Sequence, residues 1–488
     1  MPSAINFDAV SFRYFAEAPN TVQNFSAVIK PGRISLLTGP SGCGKSTLLF
    51  LAAGLYPEHG GQRTDGQVLL GDMPVQALDP LERSRRMGLL FQNADLQFCF
   101  ERVDREMRFV MENACMDPEK MDTAMHEALA FVGLAGYEKR LIRTLSGGEK
   151  QRLNIAIRLA VPCEWLLLDE IFSQVDPKQR NAILPLFAKL RDRGISILAV
   201  DHQIGPWQGI ADDFFVVNEH GQLACGPEEC RTFTAVDWAK HGVLAQGVSY
   251  PEPEKQTQPG EMLLSVSDFC VTRGNKDVLQ KVSFQLERGK LYALLGVSGI
   301  GKSTLLESLA GFHKSCGEWD GPLAPTPRLF GRRLRISPAI RLLFQSPQDQ
   351  FVKNTVREEL LFSLQRKFPD PAQQEKQGRT LLESAQLWPL RRYAPFQLSE
   401  GQQRRLAVMA LLAEGAQLLL CDEPCYAQDY RNTLAIMEEL VRAAREENTC
   451  VVFSSHDWAL AQAYADVIFY LKEDGLYEID AASLSKKF

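Results

Sequence analysis

Two glycine-rich stretches in this chain have the residue types and spacing of a phosphate-binding loop. Each fits the pattern G-x-x-x-x-G-K-[ST], in which backbone N–H groups close on a phosphate, the lysine neutralises its charge and the hydroxyl reaches Mg²⁺. Apolar runs before and after each stretch predict a strand, a tight loop and a helix whose positive end faces the same anion. We call these stretches P-loop 1 and P-loop 2. Their residues are Gly39, Pro40, Ser41, Gly42, Cys43, Gly44, Lys45, Ser46 and Thr47, and Gly296, Val297, Ser298, Gly299, Ile300, Gly301, Lys302, Ser303 and Thr304.

Two acidic pairs follow short apolar runs further along the chain. Asp169 and Asp422 are each predicted to hold Mg²⁺ at the end of a buried strand, beside the P-loop serine. The next residues, Glu170 and Glu423, are free to polarise a water aimed at the terminal phosphate, a general-base role worth roughly 10²–10⁴ in rate. An acidic loop without chemistry is the alternative interpretation, and the P-loops upstream disfavour it.

The elements that must position these residues occur twice. The aspartate–glutamate pairs lie 253 positions apart and the P-loop lysines 257 apart. Three further features recur in the same order at almost the same offset: Phe91-Gln92 and Phe344-Gln345, Leu145–Glu149 and Leu398–Gln402, Asp201-His202 and Ser455-His456. A duplicated α/β domain is therefore predicted, with residues 1–249 as the first copy, a Pro-containing linker at 250–261 and residues 262–488 as the second.

Within each copy a serine- and glycine-containing segment lies 23 positions before the aspartate. Each segment is predicted to open a helix that its serine caps, with glycines exposing N–H groups to a phosphate. We call them the signature segments. Their residues are Ser146, Gly147, Gly148 and Glu149, and Ser399, Glu400, Gly401 and Gln402.

Taken together, these motifs resemble the ATP-binding-cassette (ABC) superfamily over nearly the whole chain. The resemblance implies two tandem P-loop NTPase cassettes, each with a RecA-like α/β core, a helical subdomain carrying the signature and a small antiparallel β subdomain. It also implies that the cassettes close head-to-tail over two ATP molecules with Mg²⁺. Site one would contain Lys45, Ser46, Gln92, Asp169, Glu170 and His202 with Ser399 and Gly401; site two would contain Lys302, Ser303, Gln345, Asp422, Glu423 and His456 with Ser146, Gly147 and Gly148.

The same resemblance assigns roles to residues around the loops. Gln92 and Gln345 would sense the γ-phosphate and link it to a partner, and His202 and His456 would orient the attacking water. A structural histidine after a strand is the alternative, which the matching positions disfavour. Tyr14 would stack on adenine. The segments through which cassettes sense each other would be Gln174–Asp176 and Ala427–Asp429.

The sequence also departs from the family pattern. Glu400 replaces the first signature glycine of the second copy, where its charge would repel the γ-phosphate. Ile171 stands where proline usually follows the acidic pair, and Arg273 stands at the aromatic position of the second copy. Unequal sites are therefore expected; neutral drift is the alternative, because both glutamates and both histidines remain.

The residues after each sensor glutamine narrow the family further. Gln92–Phe98 and Gln345–Phe351 resemble the Gln-Asn-Pro-Asp-x-Gln pattern of energy-coupling-factor (ECF) importers of vitamins and metal ions, although Ala94 departs from it. That resemblance implies two membrane partners, a transmembrane coupling (T) component and a substrate-binding (S) component. Phe98, Phe100 and Phe351 would form grooves for the T component, or else pack in the helical core. The protein would lie on the cytoplasmic face of the membrane.

Composition sets limits on other functions. The net charge of −6 argues against a dedicated nucleic-acid binder, and eleven scattered cysteines without a C-x-x-C pair argue against a disulfide or zinc framework. No signal peptide is expected at the N-terminus, and no stretch approaches the ~20 apolar residues of a membrane span. A fused sugar-importer ATPase and a ribosome-associated cassette ATPase remain alternatives, and the cargo of an importer cannot be read from this chain.

Overall fold

The chain divides into two units of similar construction. The computed structural model describes residues 3–92, 94–172, 177–273, 276–327 and 334–479. Unit 1 comprises Met1–Val248 with Asp429–Arg431, and unit 2 comprises Ser249–Gln428 with Asn432–Phe488.

Unit 1 is built on two sheets and a group of helices. Its strands are β1 (Ile5–Arg13), β2 (Val22–Ile29), β3 (Ile34–Thr38), β4 (Gln62–Leu70), β5 (Met73–Pro74), β6 (Met87–Leu90), β7 (Trp165–Asp169), β8 (Ser196–Val200), β9 (Asp213–Val217) and β10 (Leu223–Cys225). Its helices are α1 (Lys45–Ala52), α2 (Pro80–Arg86), α3 (Val103–Asn113), α4 (Pro118–Phe131), α5 (Gly147–Leu159), α6 (Pro177–Asp192), α7 (Pro227–Cys230) and α8 (Ala235–Lys240).

The core sheet of unit 1 positions the chemistry. Its strand order is β10-β9-β3-β8-β7-β6, and all pairs are parallel except the β9–β10 pair at one edge. Every residue of β3, β7 and β8 is buried, because these unbroken apolar strands have protein on both faces. Their carboxyl ends therefore meet at one edge, where α/β sheets bind ligands.

Two smaller parts of unit 1 pack around this core. Strands β2-β1-β4-β5 form an antiparallel sheet whose buried side chains, including Phe7 and Phe25, join the P-loop helix α1 in one hydrophobic cluster. Helices α3, α4 and α5 lie between β6 and β7 in the chain and form the helical subdomain. Met107, Met111 and Leu153 are among its fully buried side chains.

Unit 2 repeats this plan. Its strands are β11 (Met262–Arg273), β12 (Lys276–Glu287), β13 (Leu291–Leu295), β14 (Ser315–Asp320), β15 (Thr326–Pro327), β16 (Leu334–Arg335), β17 (Ile340–Leu343), β18 (Leu418–Cys421), β19 (Cys450–Ser454), β20 (Val467–Lys472) and β21 (Gly475–Ile479). Its helices are α9 (Lys302–Leu309), α10 (Val356–Leu364), α11 (Pro371–Ser384), α12 (Glu400–Ala413), α13 (Tyr430–Arg445) and α14 (Trp458–Tyr464). The core sheet runs β17-β18-β19-β13-β20-β21, and β12-β11-β14 form the antiparallel sheet.

The predicted fold is confirmed in each unit. An α/β core, a helical subdomain and an antiparallel β subdomain occur twice, and the apolar runs before the P-loops and the acidic pairs are parallel strands. Among the residues that the structure describes, no helix combines the length and apolar character that a membrane span requires.

A buried aspartate fixes the P-loop strand of unit 2. The Asp466 side chain is fully buried and accepts hydrogen bonds from the Leu291 and Gln256 backbone N–H groups, both at 2.7 Å. Arg445 binds the same carboxylate through Nη2 at 2.7 Å and Nη1 at 3.0 Å. The Asp466 carboxylate thus contacts β13, α13 and the segment that the sequence predicts to be a linker. In unit 1 Asp212 has the corresponding contacts to Ile34 and Arg191, but a third of its side chain is exposed.

Replacing Asp466 should destabilise unit 2 locally. We expect Asp466→Ala to cost about 3–5 kcal/mol, because Arg445 would lose its partner and two backbone donors would be unsatisfied. Hydrogen exchange of peptides containing Leu291–Leu295 measures this opening free energy. Asp212→Ala is the matched control, and its smaller cost, on the order of 1 kcal/mol, reflects solvent screening. Equal losses at the two positions would contradict the assignment.

Candidate functional site

P-loop 1 has the geometry of an anion cradle. The chain leaves β3, turns at Gly44 with φ 97° and enters α1 at Lys45, so the helix N-terminus points into the loop. A Cβ at Gly39 would lie 2.2 Å from the Val217 carbonyl oxygen, which makes glycine obligatory there. The buried Lys45 ammonium donates to the carbonyl oxygens of Gly39 at 3.0 Å and Pro40 at 2.8 Å.

P-loop 2 repeats this geometry with one additional contact. Lys302 begins α9 after Gly301, which has φ 111°, and its Nζ donates to the Gly296 carbonyl at 2.9 Å. The same Nζ lies 3.2 Å from Nε2 of His456. Burial lowers the pKa of Lys302 below its ordinary value, against the attraction of Glu423 and Asp422.

The Mg²⁺ ligands predicted for unit 1 lie within hydrogen-bonding distance. The Ser46 hydroxyl donates to Oδ1 of Asp169 at 2.7 Å, which places two hard oxygen ligands together at the mouth of the P-loop. Burial raises the pKa of Asp169 to about 6, partly opposed by the Ser46 hydrogen bond, so this carboxylate lacks full compensation for its charge. In unit 2 burial likewise raises the pKa of Asp422, which accepts a hydrogen bond from Ser454 at 2.8 Å. Both arrangements fit a divalent cation.

The first glutamate–histidine pair is buried. Glu170 has the unusual φ of 42°, and its N–H donates to the Val200 carbonyl at 3.0 Å, which turns the side chain away from the strand. Its Oε1 lies 3.4 Å from Nδ1 of His202, whose side chain is 3% exposed. Burial favours the neutral form of each group, but the charge of the partner outweighs it. The pKa of Glu170 is therefore lowered and the pKa of His202 raised.

The second pair is closer, and its histidine is more exposed. Nε2 of His456 lies 2.8 Å from Oε1 of Glu423, and a quarter of the His456 side chain is exposed. Glu423 also has positive φ, 49°, and its N–H donates to the Ser454 hydroxyl at 2.8 Å. The two copies thus present the same residues at the same strand ends with different burial and different histidine nitrogens.

The remaining predicted contacts are placed unequally. The Tyr14 hydroxyl forms a 2.7 Å hydrogen bond with the Thr47 hydroxyl, so the proposed adenine platform lies beside P-loop 1. Gln92 and Gln345 each follow a core strand, β6 and β17, by two positions. Arg273 ends β11, but its side chain lies outside the described part of the chain, as do residues 174–176.

Both signature segments cap helices as predicted. Ser146 is the N-cap of α5 and forms a reciprocal capping box with Glu149, and Ser399 does the same for α12 with Gln402. The second signature glycine has no room for a side chain. A Cβ at Gly148 would lie 1.9 Å from Oε1 of Gln179, and one at Gly401 would lie 2.6 Å from Nδ2 of Asn432.

Glu400 has a partner that the sequence analysis overlooked. Arg404, one helical turn later, donates from Nη2 to Oε1 of Glu400 at 3.0 Å. The expectation that Glu400 acts through an uncompensated charge is therefore incomplete, because a buried guanidinium lies beside it.

Two further buried carboxylates were missed. Glu106 accepts the backbone N–H groups of Cys99 at 2.8 Å and Phe100 at 2.7 Å. Glu359 does the same for Val352 and Lys353, at 2.9 and 2.7 Å. Each holds the backbone of the segment after the glutamine that is predicted to sense the γ-phosphate. Their shared offset of 253 positions was a signal in the sequence that could have identified them.

The Glu170–His202 pair should make stability depend on pH. Glu170, with its pKa lowered, stabilises the fold above about pH 4.5, and His202, with its pKa raised, does so below about pH 6.5. The pair therefore contributes most between these values, and its contribution is lost as pH rises through the folded pKa of His202 or falls through that of Glu170. We expect His202→Gln to cost on the order of 1 kcal/mol or more at pH 5.5 and clearly less at pH 9.

Urea unfolding at both pH values measures this difference. His456→Gln is the comparison variant, because it removes the equivalent histidine of unit 2, a quarter of whose side chain is exposed. A loss from His202→Gln that is the same at pH 5.5 and pH 9 would show that packing, rather than the ion pair, is responsible.

Comparison with known proteins places this geometry in a family. The ABC transporter family model matches residues 22–173 and 279–426, one segment in each unit. A putative HMP/thiamine import ATP-binding protein YkoD of Bacillus subtilis (strain 168) is 32% identical over 504 residues, covering 97% of this chain and 90% of that protein. A putative ABC transporter ATP-binding protein of Methanosarcina mazei is 29% identical, covering 95% of this chain and 86% of the relative.

Solved structures agree on the architecture. A model of ribosome-bound archaeal Pelota and ABCE1 matches with a TM-score of 0.65 and 19% identity, covering 98% of this chain and 79% of that one. Similarity at this identity shows the fold alone. The family match over both units and the 32% identical relative show more: the chain belongs to the ABC transporter family of ATP-binding proteins and carries two ATP-hydrolysing cassettes.

Proposed function

We propose that this protein is the energy-coupling ATPase of an ECF-type import system for a vitamin or metal ion. The observation that carries the proposal is an exposed apolar patch in the helical subdomain of unit 2, directly after the sensor glutamine. We define the docking patch as Phe351, Val352, Phe362 and Phe396. The relative named as an HMP/thiamine import protein makes a thiamine precursor the first cargo to test.

The docking patch places several apolar side chains in solvent. Val352 is 65% exposed, Phe362 42% and Phe396 57%. The Phe351 and Phe396 rings meet edge to face at 6.1 Å, and Lys353 lies over the Phe362 ring at 4.4 Å. Exposed aromatic and aliphatic side chains on a helical subdomain are the kind of surface that an apolar partner helix binds. A coupling helix of the T component is the occupant we propose, because the patch adjoins the residue predicted to sense ATP.

The corresponding surface of unit 1 is smaller. Phe100 is 43% exposed and lies 5.2 Å from the Phe109 ring. Phe98 instead packs against the hydrophobic core, and Phe351 of unit 2 contacts core clusters as well as the patch. Of the three aromatics, Phe100 best fits the groove interpretation, Phe98 fits core packing and Phe351 fits both.

The geometry within each unit supports the catalytic roles that we propose. Lys45 and Lys302 would exchange their loop carbonyls for phosphate oxygens. Ser46 with Asp169, and Ser303 with Asp422, would hold Mg²⁺, which when bound neutralises charge on the β- and γ-phosphates. Glu170 and Glu423 would accept the proton of the attacking water.

Each ATP site would be shared between the cassettes. We propose that signature 1 completes the site of P-loop 2, and signature 2 that of P-loop 1. Binding of two ATP molecules would then draw the cassettes together and transmit motion through the docking patch. A sugar importer would use a similar ATPase, whereas a ribosome-associated ATPase is suggested only by structural neighbours below 25% identity, which support the fold alone.

Pairs of substitutions test the shared sites. Ser146→Arg should block site two, so adding it to Lys302→Ala should leave the remaining ATPase rate within about twofold. Adding it to Lys45→Ala should remove hydrolysis at both sites and lower the rate more than tenfold, since effects add only at independent sites. Steady-state ATPase assays measure both. Ser84→Arg on exposed α2 is the control, and the opposite pairing of effects would show that each site uses its own signature.

Substituting the docking patch should separate ATPase activity from membrane association. Phe396→Ser should lower recovery of membrane partners from a detergent extract at least tenfold, as expected for an interface anchor, while the ATPase rate of the isolated chain stays within twofold. Tyr477→Ser is the matched control, since this tyrosine is 44% exposed on β21. Sedimentation of the protein with ribosomes, reversed by high salt, would instead support the ribosome-associated alternative.

A further inference from the structure

Arg404 is a buried arginine that no motif assigned. Its side chain is 2% exposed, although it lies on α12 only one turn after the helix begins. A guanidinium this deeply buried needs acceptors within the protein. Nη1 and Nη2 have them, whereas Nε has none among the described residues. The partners of Arg404 lie on two different structural elements.

One side of the Arg404 guanidinium holds the backbone around the proposed catalytic glutamate. Nη1 donates to the carbonyl oxygen of Glu423 at 2.8 Å and approaches that of Pro424 at 3.4 Å. The N–H of Glu423 is held at the same time by the Ser454 hydroxyl, at 2.8 Å. The peptide groups on both sides of Glu423 are thus fixed by side chains while the residue itself adopts φ 49°.

That backbone conformation sets the direction of the Glu423 side chain. A left-handed φ is unfavourable for a non-glycine residue and persists only where surrounding contacts enforce it. Here its result is a carboxylate 2.8 Å from Nε2 of His456. Loss of the Arg404 contact would free the carbonyl and allow the glutamate to rotate away.

The other side of the guanidinium holds the altered signature residue. Nη2 donates to Glu400 at 3.0 Å, an i,i+4 pair on the first turn of α12. This position is favourable for a carboxylate for two reasons: its charge interacts with the positive end of the helix dipole, and it forms an ion pair with an arginine one turn later. Glu400 is 43% exposed on its side chain, so it presents the charge that compensates the buried arginine.

Unit 1 has different residues at the two positions that correspond to Glu400 and Arg404. The positions equivalent to Glu400 and Arg404 are Gly147 and Gln151. Gln151 is 3% exposed, and its Oε1 has no hydrogen-bond partner among the described residues. There the N–H of Glu170 donates to the Val200 carbonyl, which is the counterpart of the Ser454 contact to the Glu423 N–H in unit 2. The two copies therefore differ by a matched pair, glycine with glutamine in one and glutamate with arginine in the other.

We propose that Arg404 is a positioning residue for Glu423, and that Glu400 is retained in the signature as the anchor of Arg404. The inference rests on the proposed general-base role of Glu423. In the shared-site arrangement it links the signature that serves one ATP to the glutamate that serves the other. Glu400 then acts through Arg404 on the backbone of Glu423, in addition to any direct effect on a phosphate.

The experiment measures the Glu423 site alone, in the full chain with Glu170→Gln silencing the other glutamate. Arg404→Gln should lower kcat about ten- to a hundredfold, with KM for ATP within about twofold, because misplacement affects the reacting geometry more than nucleotide binding. Arg404→Lys should recover part of kcat, since lysine keeps the charge but not the two-sided fork. Arg405→Gln is the adjacent control; Arg405 donates to the Ala385 carbonyl, and its replacement should leave kcat unchanged.

The double variant Glu400→Gly with Arg404→Gln separates two explanations. If Arg404 positions Glu423, the double variant stays as slow as Arg404→Gln. If Arg404 only neutralises Glu400, the double variant recovers the parental kcat, which would overturn the proposal. Should Arg404→Gln fail to fold by circular dichroism, Arg404→Lys decides alone: a fall of at least threefold supports the proposal and an unchanged kcat overturns it.

A further variant keeps this proposal distinct from the proposed function. Glu423→Gln on the same background should abolish hydrolysis. If it does and Arg404→Gln does not slow the reaction, only the positioning role fails. If Glu423→Gln retains activity, the general-base assignment fails, and the role of Arg404 fails with it.

Discussion

Charge buried at the ends of parallel strands is the constraint on which the rest of this structure depends. A lysine, an aspartate, a glutamate and a histidine converge in each unit beside one P-loop, and most of them are nearly inaccessible to solvent. Such groups are tolerated only if they compensate one another or wait for a ligand of opposite charge. The raised pKa of Asp169 indicates that the protein compensates the charge of this carboxylate only in part. The lowered pKa of Glu170 indicates that its charge is paired within the protein, with His202.

The scaffold meets this constraint by rigid placement. The buried strands bring the charges to one edge, and backbone conformations that glycine alone tolerates, as at Gly44 and Gly39, bend the loop around the anion. Outside the sites, further aspartates tie the P-loop strands to neighbouring helices: the buried Asp466 in unit 2 and the partly exposed Asp212 in unit 1. Both units use an aspartate in this way, but the two aspartates differ in burial. Substitution of the two is therefore expected to have unequal effects.

Much of this was predictable because the signals were local or duplicated. The P-loops, the strands ending in Asp169 and Asp422, and the serine caps of α5 and α12 follow from short-range rules of periodicity and capping. The role of Arg404 as the partner of Glu400 was not predictable from the sequence. It depends on the burial of Arg404 and on its contact with the carbonyl of Glu423, nineteen positions later in the chain. Glu106 and Glu359 were missed because a buried glutamate on a helix has the same spacing as an exposed one until its backbone partners are known.

These missed residues share a physical character that bears on how an ATPase transmits motion. Glu106, Glu359 and Arg404 each bind backbone N–H or carbonyl groups rather than a ligand, and each fixes a segment adjacent to a predicted ATP contact. A buried carboxylate that accepts two successive backbone N–H groups restrains the main chain of that segment. If Gln345 contacts a phosphate as predicted, the restrained main chain is a short physical link from it to the aromatic side chains that follow. In unit 2 Glu359 holds the N–H groups of Val352 and Lys353, seven and eight positions after Gln345, so the proposed sensor and the proposed docking patch share one restrained segment.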